Sequence, residues 1–290
     1  MLRTLFFGTS AFAVPPLDVV ADRSDLLGVV TQPDRPAGRG QRRQPSPIKR
    51  AALERDVRVY QPANLGAFAD ELRGISIDCF VVASYGRILP ASLLALPSLG
   101  ALGIHPSLLP RYRGATPIQG ALLAGERETG VTIMLMDAGM DTGDIVVQEP
   151  LVIAPDENYG ALHDRLARLG ARLVGTVLAI GDRDGTFPRA PQSGDASLTR
   201  PVRKEDLLIS WEWPAAKIVN HVRAYSPQPA ARVVLAGTTV KILQARIASA
   251  RDDNRLLVPC GDGVVAVESL IAPNRGVESG AAFARRAGLA

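Results

Sequence analysis

Short apolar runs alternate with amphipathic stretches along most of the chain. Leu2–Phe7 ends at Gly8 and is followed by about a dozen amphipathic residues, which predicts a strand, a tight turn and a helix. Leu26–Thr31, Phe80–Ala83 and Ala101–His105 predict further strands, with helical segments around Ile48–Glu54 and Ala63–Leu72. Strands alternating with helices imply a sheet covered on both faces and joined by right-handed crossovers. Ligands bind such sheets beyond the carboxyl ends of the strands, and Gly8, the loop after Thr31 and the segment after His105 all fall at that edge.

Further on, Gly130–Met136 and Asp144–Ile153 read as strands around a Gly- and Asp-rich connection, and Tyr159–Ile180 as a long amphipathic helix. The composition then changes. Residues 181–205 are dense in Gly, Pro, Ser and charge, as an interdomain linker is. Beyond them Ile209–Arg223 has helical character, and Ala231–Leu235, Thr238–Ala245, Arg255–Pro259 and Gly263–Leu270 read as short strands separated by turns. The expected architecture is α/β: a doubly wound, mostly parallel Rossmann-like sheet over residues 1–190, a linker over 191–205, and a small OB-like β-barrel over 206–290.

A length of 290 residues with 47% hydrophobic and 21% charged content, 27 Gly and 22 Pro, fits a two-domain globular protein and excludes disorder and collagen-like repeats. No apolar run approaches the ~18 residues of a membrane span. At the N-terminus Gly8, Pro15 and Pro16 break the apolar segment, so a cytoplasmic protein without a membrane role is expected. Cys79 and Cys260 form no CxxC motif, which argues against a disulfide framework or structural zinc. The net charge is +4, and all of that excess lies in residues 201–290, with 12 basic and 8 acidic side chains. Within the balanced remainder, Arg35, Arg39, Arg42, Arg43, Lys49 and Arg50 form a basic loop without an acid among them, suited either to solvent or to phosphates.

Two segments could carry chemistry. The first runs from His105 to Pro117, HPSLLPRYRGATP, whose three internal and terminal prolines and one glycine restrict the backbone beside a strand end. His105 is one of three histidines, with His163 and His221. The second, DAGMDTGD, places Asp137, Asp141 and Asp144 in turn-forming surroundings, without the ligand ladder of a calcium loop. A histidine and a carboxylate at neighbouring strand ends make an acid/base pair. No metal site is expected, and neither GxGxxG, a P-loop lysine nor GxSxG is present.

With these residues assembled, the chain resembles the methionyl-tRNA formyltransferases. The resemblance rests on FFGTSAFAVPPL, TQPDRPAGRG, VVASYGRILP, HPSLLPRYRGATPIQGALLAGERETGVTIMLMDAGMDTGDIV and, near the C-terminus, RAYSPQPAA. It implies a formyltransferase-like fold and formyl transfer from 10-formyltetrahydrofolate to the α-amino group of methionine on initiator tRNA, by a monomer and without a metal. It also implies a donor pocket beside Ser107, Leu108, Leu109 and Pro110, catalysis by His105 and Asp141, and an important arginine at Arg39, which with Arg42 and Arg43 of the basic loop is expected to contact tRNA.

Two departures stand out. Gly103 occupies the position of the family's asparagine, whose amide would donate to the formyl oxygen, and losing one such donor costs about 10²–10³ in rate. The stretch between Ile247 and Gly261 is shorter than in the family, which bears on barrel completeness. The rival readings are a formyltransferase acting on an amino-sugar nucleotide or a small ribonucleotide amine, a folate- or tRNA-binding homologue impaired by Gly103, and a hydrolase of the same donor.

Overall fold

The computed structural model describes residues 1–37, 42–248 and 256–289. The chain divides into two compact units, one of residues 1–117, 130–151 and 164–199, the other of 118–129, 152–163 and 200–290. In chain order the elements are β1 (Arg3–Gly8), α1 (Val14–Arg23), β2 (Asp25–Val30), β3 (Arg35–Ala37), β4 (Arg42–Gln44), α2 (Pro47–Glu54), β5 (Val59–Tyr60), α3 (Leu65–Leu72), β6 (Cys79–Ala83), α4 (Ala91–Leu94), β7 (Ala101–His105) and β8 (Arg113–Gly114). There follow α5 (Pro117–Ala124), β9 (Glu128–Leu135), β10 (Ile145–Val152), α6 (Tyr159–Asp184), β11 (Leu198–Thr199), α7 (Ala215–Tyr225), β12 (Ala231–Leu235), β13 (Thr238–Ile247), β14 (Leu256–Cys260), β15 (Gly263–Ile271), β16 (Val277–Ser279) and α8 (Gly280–Ala287).

The first unit is built on a sheet in the order β10-β9-β7-β6-β1-β2-β5. β1 pairs parallel to β2 on one side and to β6 on the other, and β6 pairs parallel to β7. β6 and β7 are buried at every residue, so they read as unbroken apolar runs rather than alternating ones. Phe7, Val30, Phe68, Phe80, Val82 and Leu93 fill one face. The strand order reverses between β1 and β6, and the loops after β1, β2 and β6 meet there: Thr9 Oγ1 and Gln32 Nε2 both donate to the Tyr85 carbonyl, at 2.9 and 2.8 Å. β9 runs antiparallel to β7, which makes the sheet mostly, not wholly, parallel.

In the second unit β12-β13-β15-β14 form an antiparallel sheet, with β16 added to β15. Alternation along β12 turns Ala231, Val233 and Leu235 inward to join Val240, Ile242, Val265 and Val267 in the core. α7 lays Ile218 and Val222, one helical turn apart, on that core. α8 starts at Ser279, whose hydroxyl accepts from Ala282 N–H, and ends at Gly288 in the left-handed region. The shortened stretch after Ile247 lies partly outside the described residues.

Candidate active site

His105 is the last residue of β7 and is only 6% exposed. Its Nε2 lies 2.9 Å from the Tyr112 carbonyl. A carbonyl only accepts, so Nε2 carries the hydrogen and the neutral ring presents a lone pair at Nδ1. That nitrogen faces Asp141 Oδ2 at 3.6 Å. Burial pushes the imidazole below the usual histidine range, and the neighbouring carboxylate opposes the shift. The pair therefore holds a neutral ring at rest beside a charge that favours its protonated form.

Backbone geometry delivers each member. Tyr112 and Asp141 both adopt left-handed backbone conformations, with φ of 58° and 53°. Asp141 Oδ2 accepts the Gly114 N–H at 2.7 Å, and Tyr112 donates its own N–H to Ser197 Oγ at 2.8 Å. Gly143 lets the DAGMDTGD loop fold back on β9, since a Cβ there would lie 1.7 Å from the Leu135 carbonyl oxygen. Asp137 is an ordinary turn residue that accepts from Gly139 N–H and Thr142 Oγ1.

Ser107–Pro110 are fixed from beneath. Ser107 Oγ donates to the Arg111 carbonyl, and the buried Thr132 hydroxyl donates to the Ser107 carbonyl and accepts from Leu109 N–H. Gln148 Nε2 donates to Thr132 Oγ1 and to the Leu109 carbonyl. Sequence reasoning missed Thr132, Gln148 and Ser197, which stand 16 to 85 residues from the groups they hold and belong to no motif.

A cavity of about 160 Å³ opens beside the pair. Ile88, Leu89, Met134 and Met136 supply apolar walls, while Arg87 and the Asp137–Thr142 loop, Asp141 included, supply a polar rim. Apolar faces with a polar edge suit a flat heteroaromatic ring. Ser107–Pro110 are not part of this lining. Gly103 pairs with Met134 in the sheet, and a Cβ at that position would stand 3.1 Å from both Met134 Cε and Met136 Cγ. The two methionines thus occupy the space toward which a side chain at 103 would point.

The basic loop is a hairpin of β3 and β4. Arg42 lies in β4 and Arg43 is exposed, while Arg39 lies outside the described residues. Lys49, counted among the basic side chains, is held at 2.8 Å by both Asp34 and Gln61, and its ammonium helps keep the Asp34 carboxyl below the usual range. His163 packs at a tilt against Tyr159 and His221 lies between Trp213 and Tyr225, so neither joins the pair. No group of residues able to hold a metal is found, and no helix is long and apolar enough to cross a membrane, among the described residues.

Residues 3–178 match the family described as formyl transferase, and residues 201–288 match the formyl transferase C-terminal domain. The fold is shared with an N-formyltransferase from Helicobacter canadensis, solved with folinic acid and dTDP-3-aminofucose, at a TM-score of 0.68 and 17% identity over 92% of this chain and 99% of that one. HypX from Aquifex aeolicus, one structure of which holds tetrahydrofolic acid, gives a TM-score of 0.65 and 16% identity over 99% of this chain and 47% of that one. The class is therefore formyltransferase. Methionyl-tRNA formyltransferase from Pelotomaculum thermopropionicum is 41% identical over 93% of this chain and 90% of its own length, and that from Syntrophus aciditrophicus 43% over 94% and 92%. The chain belongs to the methionyl-tRNA formyltransferase family.

Proposed function

We propose that the enzyme moves the formyl group of 10-formyltetrahydrofolate to the α-amino group of methionine on initiator tRNA, with the neutral, buried His105 beside Asp141 as the observation that carries the chemistry. The residues around the 160 Å³ cavity fit the folate ring: the methionine and leucine walls take its faces and the Asp137–Thr142 loop its polar edge. His105 Nδ1 accepts the proton released as the amine bonds to the formyl carbon. Asp141 stabilises the resulting imidazolium, which donates a hydrogen bond to the negative formyl oxygen. Nδ1 then gives the proton to N10 as the carbon–N10 bond breaks, so the ring returns to its starting form. Gly103 has no side chain to add a donor, and no metal enters this scheme.

Ser107–Pro110, held in place by the network anchored on Thr132, contact the donor outside the cavity that takes its ring. Arg39, Arg42 and Arg43 contact tRNA phosphates, with residues 1–190 as the core of the catalytic domain and 206–290 binding tRNA. The enzyme acts as a monomer in the cytoplasm. The test is incubation with 10-formyltetrahydrofolate and methionyl-tRNA, followed by mild base hydrolysis: formylmethionine is expected. Product with an amino-sugar nucleotide and none with the tRNA would overturn the reading.

A further inference from the structure

Gln192 lies in the Gly-, Pro- and Ser-rich stretch after α6, away from every motif of the site. Its amide uses its full hydrogen-bonding capacity. Nε2 donates to the carbonyls of Asp141 and Gly143 at 2.9 and 2.8 Å, and Oε1 accepts from Arg113 Nε and Nη2 at 3.1 and 2.7 Å. The partners fix the orientation of the amide, because guanidinium only donates and carbonyl only accepts. The bonds close a ring. Arg113 precedes Gly114, whose N–H binds Asp141 Oδ2, so the backbone and carboxylate of Asp141 are held from opposite ends of one circuit. Farther along the segment, Ser197 Oγ takes the N–H of Tyr112, whose carbonyl takes His105 Nε2, and β11 pairs with β8.

We infer that Gln192 is a positioning residue that holds the Asp141 carboxylate against His105, and that residues 192–199 buttress the pair from behind its loops. The inference rests on the acid/base reading of that pair. Asp141 carries its carboxylate from a left-handed turn, with φ of 53°, and the clamp on the Asp141 and Gly143 carbonyls fixes that turn. Without it the carboxylate drifts from Nδ1. Asp141 is the charge that raises the proton affinity of the ring against burial, so drift lowers that affinity further.

The test compares the full-length enzyme with Gln192→Met, which keeps the side-chain length and removes all four bonds, and with Gln192→Glu, which keeps the acceptors for Arg113 and loses both donors. The proton titration of the His105 imidazole is followed by NMR, assigned with His105→Gln, alongside kcat and KM for each substrate. Both variants are expected to move the His105 midpoint apart from the parent, Gln192→Met downward by up to about one pH unit. Gln192→Met is expected to lower kcat by about tenfold to a hundredfold, with both KM values within about threefold. An unmoved His105 midpoint in Gln192→Met overturns the inference, whatever the activity. A moved midpoint in a parent that makes no formylmethionine would sustain the clamp and sink the proposed reaction instead.

Discussion

His105 Nδ1 faces Asp141 Oδ2 across 3.6 Å, while the opposite ring nitrogen is committed to the Tyr112 carbonyl. One bond fixes the tautomer and the other contact decides what the free nitrogen can do. The site thereby rests as a neutral base and becomes a stabilised acid after one proton transfer. His105→Asn should lower kcat by about 10²–10⁴ while leaving both KM values within a few-fold, because the lost interaction is made mainly in the transition state. Equal losses in kcat and in donor affinity would point to a binding role for the ring.

The pH dependence has a defined sign. Nδ1 must be unprotonated to accept the amine proton, so kcat/KM falls as pH drops through the His105 pKa, which burial holds below the ordinary histidine value. Asp141→Asn removes the opposing charge and should shift that acid limb to still lower pH, besides reducing turnover. Stability follows the same direction. A histidine whose folded pKa is depressed stabilises the fold above its unfolded pKa, and this contribution is lost as pH falls toward the folded value. Urea denaturation of the parent and of His105→Asn over that window should show the parent losing stability more steeply on acidification.

Gly103 makes a sharper test of the oxyanion. The Cβ of an asparagine there stands 3.1 Å from Met134 Cε and Met136 Cγ, contacts relieved when the two flexible methionine side chains give by a few tenths of an ångström. Gly103→Asn should therefore fold and should raise kcat, with a ceiling of about 10²–10³ set by the value of one oxyanion donor. Single-turnover rates at saturating donor measure it, and an unchanged rate means that the formyl oxygen already has its full set of donors.

Much of this was legible because it is local. Apolar runs marked β1, β6 and β7, since strands buried on both faces need no alternation, and His105 could be placed at a strand end by the break from Ile104 to Pro106. The β3–β4 hairpin and the short β8 and β11 were not legible, because two- and three-residue strands leave no period to detect. The supports of the site were hidden for another reason. Thr132 sits in an apolar strand, and Gln192 and Ser197 sit in a stretch composed like a linker. Their roles come from hydrogen bonds spanning 25 to 85 residues of sequence, which composition does not encode.

The turn between β12 and β13 offers a stability test apart from catalysis. Leu235 pairs with Thr238, leaving Ala236 and Gly237 as a two-residue loop with φ of 46° and 73°. Both are left-handed, the signature of the hairpin turn that favours Asn-Gly. Alanine lacks the short polar side chain that eases this conformation. Ala236→Asn should raise unfolding free energy by about 0.5–1 kcal/mol without altering kcat. A lower urea midpoint would show that the left-handed angle at 236 is not a source of strain.

The hairpin of β3 and β4 predicts different roles for neighbouring cations. Arg43 is exposed on β4, whereas Lys49 is tied to Asp34 and Gln61. A lysine already neutralised by a carboxylate releases few counterions on meeting a phosphate. Arg43→Ala should therefore reduce the slope of log affinity for methionyl-tRNA against log salt by about 0.7–0.9, one phosphate contact, and leave the KM for the folate donor unchanged. Arg39→Ala should do the same and raise the KM for tRNA. Lys49→Ala should leave the slope nearly intact and act through the Asp34–Gln61 cluster at the base of the hairpin, lowering stability. If all three substitutions changed the slope equally, the ion pair with Asp34 would have to open when tRNA binds. If none did, the hairpin arginines would be a solvated surface, and the phosphate contacts would have to come from the basic excess in residues 201–290.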